Sequence, residues 1–375
     1  MGAVRRRPSG GPAVTARLRI AVYALAKNEA ANVARWAASC TDADVRVVTD
    51  TGSTDGTPER LMESGVDVRH GAVVPWRWDD AHTLSLNHVP ANVDVCVRLD
   101  LDEVLVPGWR EAIESHWKNG VSALHHGYEW EPGVVMSQER VHARSGYHWR
   151  QATHEGLVRW DGQPDTRGGI VGKDGRPLVL IRQHRQERKP HSTDLDLCQR
   201  AVDEAPHDAR ARWYLAREHL IRNDPARARE EFRRYLDTPG GSSHERANAM
   251  RRMAALDEPM AALGWLLRAA AEAPHEPEPW VDLAHTALVR HRPQEALAFA
   301  RRAAACDPTR QNHASDERAY GPLPHQIAAE AAVLCGLWPE AVQHARRALE
   351  LAPGHAGMAT LIVMADGCDA PGPKG

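Results

Sequence analysis

The chain has 375 residues, enough for two domains or more, and its 42% hydrophobic and 26% charged content excludes wholesale disorder. The formal net charge is −3; residues 1–190 carry 25 Lys and Arg against 24 Asp and Glu, and the remainder 22 against 26, so neither half has the basic balance of a nucleic-acid-binding domain. Six scattered cysteines without a CxxC pair or zinc spacing read as reduced thiols of a cytoplasmic protein, and no segment reaches the roughly 18 apolar residues that span a bilayer.

Arg5, Arg6 and Arg7 precede the apolar run IAVYALA, which is short and ends in Lys-Asn-Glu, so residues 1–17 read as a flexible N-terminus and the run as a strand, not as a signal peptide. Asn28 then offers a helix cap, with Val33, Trp36, Ala37 and Cys40 on one helical face. VRVVTD is a second strand, followed by a helix beginning at Thr57 with Pro58 in the first turn. VDVRH is a third strand, Asp79 offers a cap for a helix through Asn87, and VDVCVRLD is a fourth strand. Strands that are apolar throughout, separated by short helices, predict a parallel sheet covered on both faces, with ligands bound at the carboxyl ends of its strands.

The second half follows a different period. Pro206, Pro239, Pro274 and Pro308 stand 33, 35 and 34 residues apart, each closing an Ala- and Arg-rich helical stretch such as EALAFARRAAACDP. EAVQHARRALELAP repeats that segment after an insertion containing QNHASDERAYG. A period near 34 is that of tetratricopeptide repeats, so residues 191–364 are expected to form four or five helical hairpins stacked as an all-α solenoid, with 365–375 a flexible tail. The Leu, Trp and Ala stripes belong to the repeat core.

Two stretches of the first half carry chemistry. Asp100, Asp102 and Glu103 crowd three carboxylates into four residues at a strand end, an arrangement that repels itself unless a cation joins it. A D-x-D pair on extended chain puts both side chains on one side, where they can share Mg²⁺ or Mn²⁺ with substrate phosphates; a solvated loop is the plain alternative. The loop DTGSTDGT, residues 50–57, has Gly52 and Gly56 for tight turns, while Asp50, Ser53, Thr54 and Asp55 bring acceptors and hydroxyls suited to a base or ribose. A well-made turn and helix cap would use the same residues.

Taken in order, AKNEA after the first strand, DTGSTDGT after the second and RLDLDE after the fourth resemble the family 2 glycosyltransferases over residues 18–190. The resemblance implies a GT-A fold, a Rossmann-like nucleotide-diphospho-sugar transferase domain, followed here by the tetratricopeptide solenoid. It implies transfer of a sugar from a nucleotide-diphosphate sugar, with a UDP-sugar the expected donor, to an acceptor hydroxyl or other nucleophile with inversion. Asn28 and Glu29 would lie beside the nucleotide, Asp50 would accept from the base, and Asp55 would shape the loop. Asp100 would lean toward the ribose and share with Asp102 a Mn²⁺ or Mg²⁺ that bridges the diphosphate.

His184, after the next apolar run, stands where such enzymes bring a third metal ligand, and His154 with Glu155 in GYHWRQATHEGLV stands where they place an acceptor-side base. A salt bridge of Glu155 to Arg150 or Arg159 is the plain alternative. Trp76, Trp78, Trp109, Trp130, Trp149 and Trp160 supply sugar-stacking faces or core. One departure stands out: where relatives have Ala-Arg-Asn, this chain has His82 and Thr83 in WRWDDAHTLSL, so a permanent charge on the phosphates is replaced by a titratable one.

Two other readings compete. DLDEVL also fits the D-x-D-x-[TV] nucleophile motif of haloacid-dehalogenase-type phosphatases, whose second acidic pair would be Asp161 and Asp165 in WDGQPD, with tryptophan where glycine is expected. Alternatively, a catalytically impaired sugar-nucleotide domain carries a tetratricopeptide protein-binding scaffold, a reading that His82 and Thr83 favour. The acceptor is open among protein, peptide, glycan, small metabolite and modified nucleic-acid base, recruited by repeats that also offer a surface for oligomerisation.

Overall fold

In the computed structural model, which describes residues 17–118, 120–132, 134–175, 177–184, 195–307 and 317–368, the run IAVYALA forms β1 (Ile20–Ala26) at the centre of a sheet. It is buried on both faces: Ala21 and Tyr23 pack with Leu86 and Val89, while Ile20, Val22 and Ala24 point the opposite way and are equally covered. The contacts divide the chain into two compact units, one holding residues up to 131 with 137–150 and 156–186, the other holding 132–136, 151–155 and everything from 187 onward. The domain boundary expected at 190, like most of the N-terminus and tail, lies outside the described residues.

The first unit continues with α1 (Val33–Ser39), β2 (Val45–Asp50), α2 (Thr57–Glu63), β3 (Asp67–His70), α3 (Trp78–His88), β4 (Val95–Arg98) and β5 (Glu103–Leu105). After these come α4 (Trp109–His116), β6 (Ala123–Glu131), β7 (Val134–Ala143), β8 (Tyr147–Arg150), β9 (Gly156–Arg159), β10 (Arg167–Gly169) and β11 (Val179–Gln183). The sheet runs β3-β2-β1-β4-β7-β6-β11-β5, with β10 beside β6, and β8 pairs with β9 in a separate ribbon. The first four strands are parallel, as their apolar character predicts, but β7 joins β4 antiparallel and β11 joins β5 antiparallel. The expectation of an all-parallel sheet is thus corrected: β7 with β4 and β11 with β5 pair residues tens of positions apart, and no local pattern announces those two pairings.

Two predicted caps are also corrected. Asn32, not Asn28, is the N-cap of α1, and Asn28 takes a left-handed backbone with φ 58. Asp79 sits inside the first turn of α3, where Arg77 pairs with it at 2.9 Å. The predicted face of α1 is confirmed, with Val33, Trp36, Ala37 and Cys40 all buried.

The second unit is a helical-repeat solenoid. α5 (Leu195–Glu204) leads into four antiparallel hairpins: α6 (Ala209–Ile221) with α7 (Pro225–Asp237), α8 (Ser243–Leu256) with α9 (Pro259–Glu272), α10 (Pro277–Val289) with α11 (Pro293–Ala304), and α12 (Leu323–Leu334) with α13 (Trp338–Leu351). α14 (Ala356–Cys368) follows, and a short 3₁₀ turn (Glu317–Tyr320) lies within the predicted insertion. Pro206, Pro239, Pro274 and Pro353 each fall just after α5, α7, α9 and α13, where a helix must stop. Starts are specified as locally: Asp208 and Asp224 accept first-turn amides, and Ser242 with Glu245 makes a capping box. Between hairpins the contacts are made by fully buried alanines such as Ala284, Ala300, Ala328 and Ala345, whose size lets helix backbones approach closely.

A polar chain crosses the core of the first unit. The Tyr23 hydroxyl lies 2.9 Å from both His142 Nε2 and Trp149 Nε1. His142 Nδ1 is 2.8 Å from the Ala143 carbonyl, which can only accept, so Nδ1 carries the proton, Nε2 accepts from the Tyr23 hydroxyl, and the hydroxyl oxygen accepts from the indole N–H. Burial, reinforced by Arg98 and Arg144 and opposed by the Ala143 carbonyl, lowers the imidazole to about 4. A second proton on Nε2 would take the place of the Tyr23 hydroxyl proton and break that donation. The folded chain therefore resists protonation while the unfolded chain takes it up near 6.5, so this contribution is complete above 6.5 and is lost as pH falls toward 4. Between pH 6.5 and 4.5, urea unfolding of His142→Gln should show a stability loss smaller than wild type by roughly 2 kcal/mol. Equal pH slopes for the two proteins would show that His142 is not held neutral.

Candidate active site

The strand order places the chain's reversal between β1 and β4: after β1 it builds β2 and β3 on one side, then crosses to lay β4 on the other. The carboxyl ends of two such strands part to leave a crevice, because their loops leave in opposite directions. The residues that end β1 and β4 there are Lys27, Asn28 and Glu29, and Leu99 through Asp102. Trp36, fully buried in α1, donates its indole N–H to the Leu99 carbonyl at 3.0 Å and so fixes the β4 end against the helix that follows β1.

One wall is a lattice of loop-to-loop hydrogen bonds between AKNEA and DTGSTDGT. Asn28 N–H donates to Ser53 Oγ at 2.8 Å, Glu29 N–H to Thr57 Oγ1 at 2.8 Å and Ala30 N–H to Asp55 Oδ2 at 3.0 Å. In return Thr54 N–H donates to Asn28 Oδ1 at 2.8 Å. Asp50, only 2% exposed, accepts from the amides of Gly52 (3.0 Å) and Ser53 (3.1 Å), closing the turn that Gly52 enters at φ 105. Asp55 accepts from the Thr57 hydroxyl and amide ahead of α2, and these bonds, the hydroxyl first, lower its carboxyl pKa. Asp50, expected at the base, and Ser53 and Asp55, expected around the nucleotide, thus build the wall, whereas Lys27, Asn28 and Thr54 are exposed along it.

The opposite wall carries the acidic turn. Asp100 N–H donates to Glu103 Oε2 at 2.9 Å, and Glu103 N–H to the Asp100 carbonyl at 3.0 Å. Arg140, reaching in from β7, meets Glu103 Oε2 at 2.6 Å and Asp100 Oδ2 at 3.3 Å, and Arg98 adds a contact to Asp100 at 3.7 Å. Burial would raise the Asp100 carboxyl, but Arg98 and Arg140 outweigh it and hold it below the usual range; burial pushes Glu103 up, with Arg140 opposing. The cation that the acidic run demands is in large part this pair of arginines. Neither was singled out above, although a lone Arg at the end of VCVR and another inside QERVHA are the local signals.

Asp102 is left outside that compensation. Burial first, then the charges of Asp100 and Glu29, raise its carboxyl pKa, while a 3.2 Å bond from Gln183 Nε2 opposes the rise. The pairing of Gln183 with Glu103 sets His184 opposite Asp102, and the His184 N–H donates to the Asp102 carbonyl at 2.7 Å. The backbones of Asp102 and His184 are therefore adjacent. Among the described residues no three His, Cys, Asp or Glu side chains gather as a metal cage. A cation shared with a ligand's phosphates asks less, one or two carboxylates, and an under-compensated carboxylate with a second at its side fits that demand.

His82 lies 3% exposed in α3, stacked on Trp78 at 6.0 Å and tilted against Trp149 at 5.7 Å. Burial above all, then Arg98 and Arg140, lowers its pKa well below 6.5, so its imidazole is neutral. Thr83 Oγ1 accepts from the Trp149 amide at 3.1 Å, and Arg98 covers the Trp149 ring at 4.3 Å. His154 and Glu155 belong to the second unit. There the His154 ring stacks on Tyr214 of α6 at 3.6 Å and 7°, Arg210 lies 5.2 Å from the centre of the Tyr214 ring, and Gln151 reaches Asp208. Arg159, an alternative partner for Glu155, pairs instead with Asp161 at 2.8 Å. Asp165 is taken by Arg167 and the Tyr147 hydroxyl, so the phosphatase reading lacks a second acidic pair, and its aspartate motif follows the fourth strand, not the first.

No protein-family model matches the chain, and no curated protein matches it. Among solved structures, a MamA fragment from Desulfovibrio magneticus is 16% identical, with 44% of this chain and 89% of that one covered at a TM-score of 0.34. YrrB, described as a TPR protein with an unusual peptide-binding site, is 15% identical over 46% and 81% at 0.33. The Thermus thermophilus TPR protein TTC0263 is 22% identical over 46% and 88% at 0.29. These are distant likenesses, all to proteins of helical repeats. No described helix is long and apolar enough to cross a membrane.

The arginine network yields a stability test. Arg140→Met leaves two carboxylates buried beside one another and should cost about 3–5 kcal/mol, read as a lower urea midpoint. Adding Glu103→Gln should recover more than half of that loss, since the remaining carboxylate keeps Arg98. A single variant within ~1 kcal/mol of wild type would mean that solvent, not Arg140, compensates the turn.

Proposed function

We propose that the chain is a glycosyltransferase that takes a nucleoside-diphosphate sugar in the crevice between β1 and β4 and passes the sugar to an acceptor recruited by the helical repeats. The observation that carries this reading is the convergence, at one topological switch point, of the exposed Asn28 edge with the under-compensated carboxylate of Asp102. Electropositive demand beside Asp102 suits a diphosphate only with a divalent cation between them. Mn²⁺ or Mg²⁺ held by Asp102, with Asp100 and His184 beside it, would supply Lewis-acid stabilisation of the leaving diphosphate.

The residues of the chain do the rest. Asn28 and Glu29 line the nucleotide side, and the bonded loops hold that edge rigid so that little entropy is lost on binding. The acceptor's proton goes to a base, its oxygen bonds the anomeric carbon on the face opposite the diphosphate, and the carbon–oxygen bond to phosphate breaks, giving inversion. Glu155 and His154 are the proposed base candidates, and the neutral His82 keeps the indoles of Trp78 and Trp149 in place. A second reading, an impaired sugar-nucleotide domain serving as a repeat scaffold for a protein partner, is favoured by that same neutral, buried His82 and by the likeness to YrrB.

Thermal shift with a panel of nucleotide sugars, with and without Mn²⁺, tests the reading. One donor should raise the melting temperature in a metal-dependent way, and Mn²⁺-dependent release of nucleoside diphosphate should accompany it. Asp102→Asn should keep the fold and lose most of both effects. Undiminished metal-dependent turnover in that variant would remove the assigned role of Asp102; metal-dependent binding without any release would favour the scaffold.

A further inference from the structure

A second polar cluster lies in the last repeat hairpin, apart from the crevice residues and unused by the proposed reaction. His325 stands in the first turn of α12 and His344 in the second turn of α13, and antiparallel packing brings their Nδ1 atoms to 3.0 Å. The rings are 5.2 Å apart and inclined at 38°. Two imidazole nitrogens bound to one ion at about 2.0–2.1 Å, with a bond angle between a right angle and the tetrahedral value, are separated by roughly 2.9–3.3 Å.

The support behind His344 is already built. Its Nε2 lies 3.7 Å from Glu340 Oε1, and Glu340 is gripped at both oxygens by Arg301 of α11, at 2.6 and 2.5 Å. A carboxylate locked by an arginine on the Nε2 side of His344 favours the tautomer that keeps its proton on Nε2 and its Nδ1 lone pair toward His325. This is the order of groups that orients a metal-binding histidine. On the other side His325 faces Arg347 and Glu350, whose charges offset each other through a 2.7 Å pair.

We propose that His325 and His344 chelate one divalent ion of the zinc, nickel or copper class, with water in the remaining positions. Imidazole nitrogen is the donor these metals select, and hard cations such as Mg²⁺ do not. A neutral imidazole carries one ring proton, and with that proton on Nε2 each ring turns an Nδ1 lone pair toward the other, into the position a shared ion would take. With two protein donors the ion is exchangeable. Its effect is to clip α12 to α13.

Calorimetric titration of the full chain with zinc chloride near neutral pH tests this. His325→Ala and His344→Ala should each bind one equivalent fewer than wild type. Glu340→Gln, which keeps both ligands and loses the anchored carboxylate, should keep the stoichiometry and weaken that site 10-fold or more. Equal stoichiometry in wild type and both alanine variants would overturn the assignment. Should an alanine variant fail to fold, one equivalent of Cu²⁺ on the native chain gives a second reading by electron paramagnetic resonance: coupling to two imidazole nitrogens supports the pair, and its absence overturns it.

Discussion

The contact on which the first unit depends is that of Arg140 with the turn from Asp100 to Glu103. Two carboxylates cannot be taken together out of water without a cation, since each costs several kcal/mol and they repel one another. Arg140 is supplied by a strand 37 residues beyond Glu103, so the turn is affordable only when β7 has joined β4. That turn starts β5, β5 sets the register of β11, and this register sets His184 beside Asp102. One ion pair thereby couples the sheet's long-range topology to the proposed site at its edge.

This dependence explains what was legible in the sequence and what was not. β1, β2 and β4 are apolar runs closed by polar turn residues, and the repeats announce themselves through proline spacing and alanine stripes, so each is specified within its own few residues. The antiparallel pairings of β7 with β4 and of β11 with β5 are specified by partners far away: Ala143 with Val95, Gln183 with Glu103. Asn28 was misread for a related reason. It looks like a cap ahead of a helix, yet its amide oxygen serves Thr54, on a loop 26 residues distant, and the cap passes to Asn32.

The motifs themselves carry a double meaning. In DTGSTDGT, Asp50, Ser53, Asp55 and Thr57 all bond the loop's own backbone or that of AKNEA. A chain that needs two short loops to stand rigid at neighbouring strand ends would call for these residues whether or not a ligand followed. The motifs therefore testify first to the architecture of the crevice. The proposed chemistry rests on what the lattice leaves over, which is the exposed Asn28 edge and the carboxylate of Asp102.

The same reasoning bears on the base. His154 and Glu155 sit in five residues, 151–155, that pack within the second unit, although the strands on either side of them in sequence, β8 and β9, belong to the first. The His154 ring takes its orientation from Tyr214, and Tyr214 takes its own from Arg210 one turn earlier on α6 and from Trp213 beside it. The left-handed backbone at Gln151 and at His154, which non-glycine residues adopt only at a cost of roughly 1–3 kcal/mol, is held by that stack and by the Gln151 bond to Asp208. A substitution on α6 that moved Tyr214 would therefore move the proposed base without touching any residue of the crevice. Within the second unit, helices that read as scaffold in the sequence thus fix the position of His154.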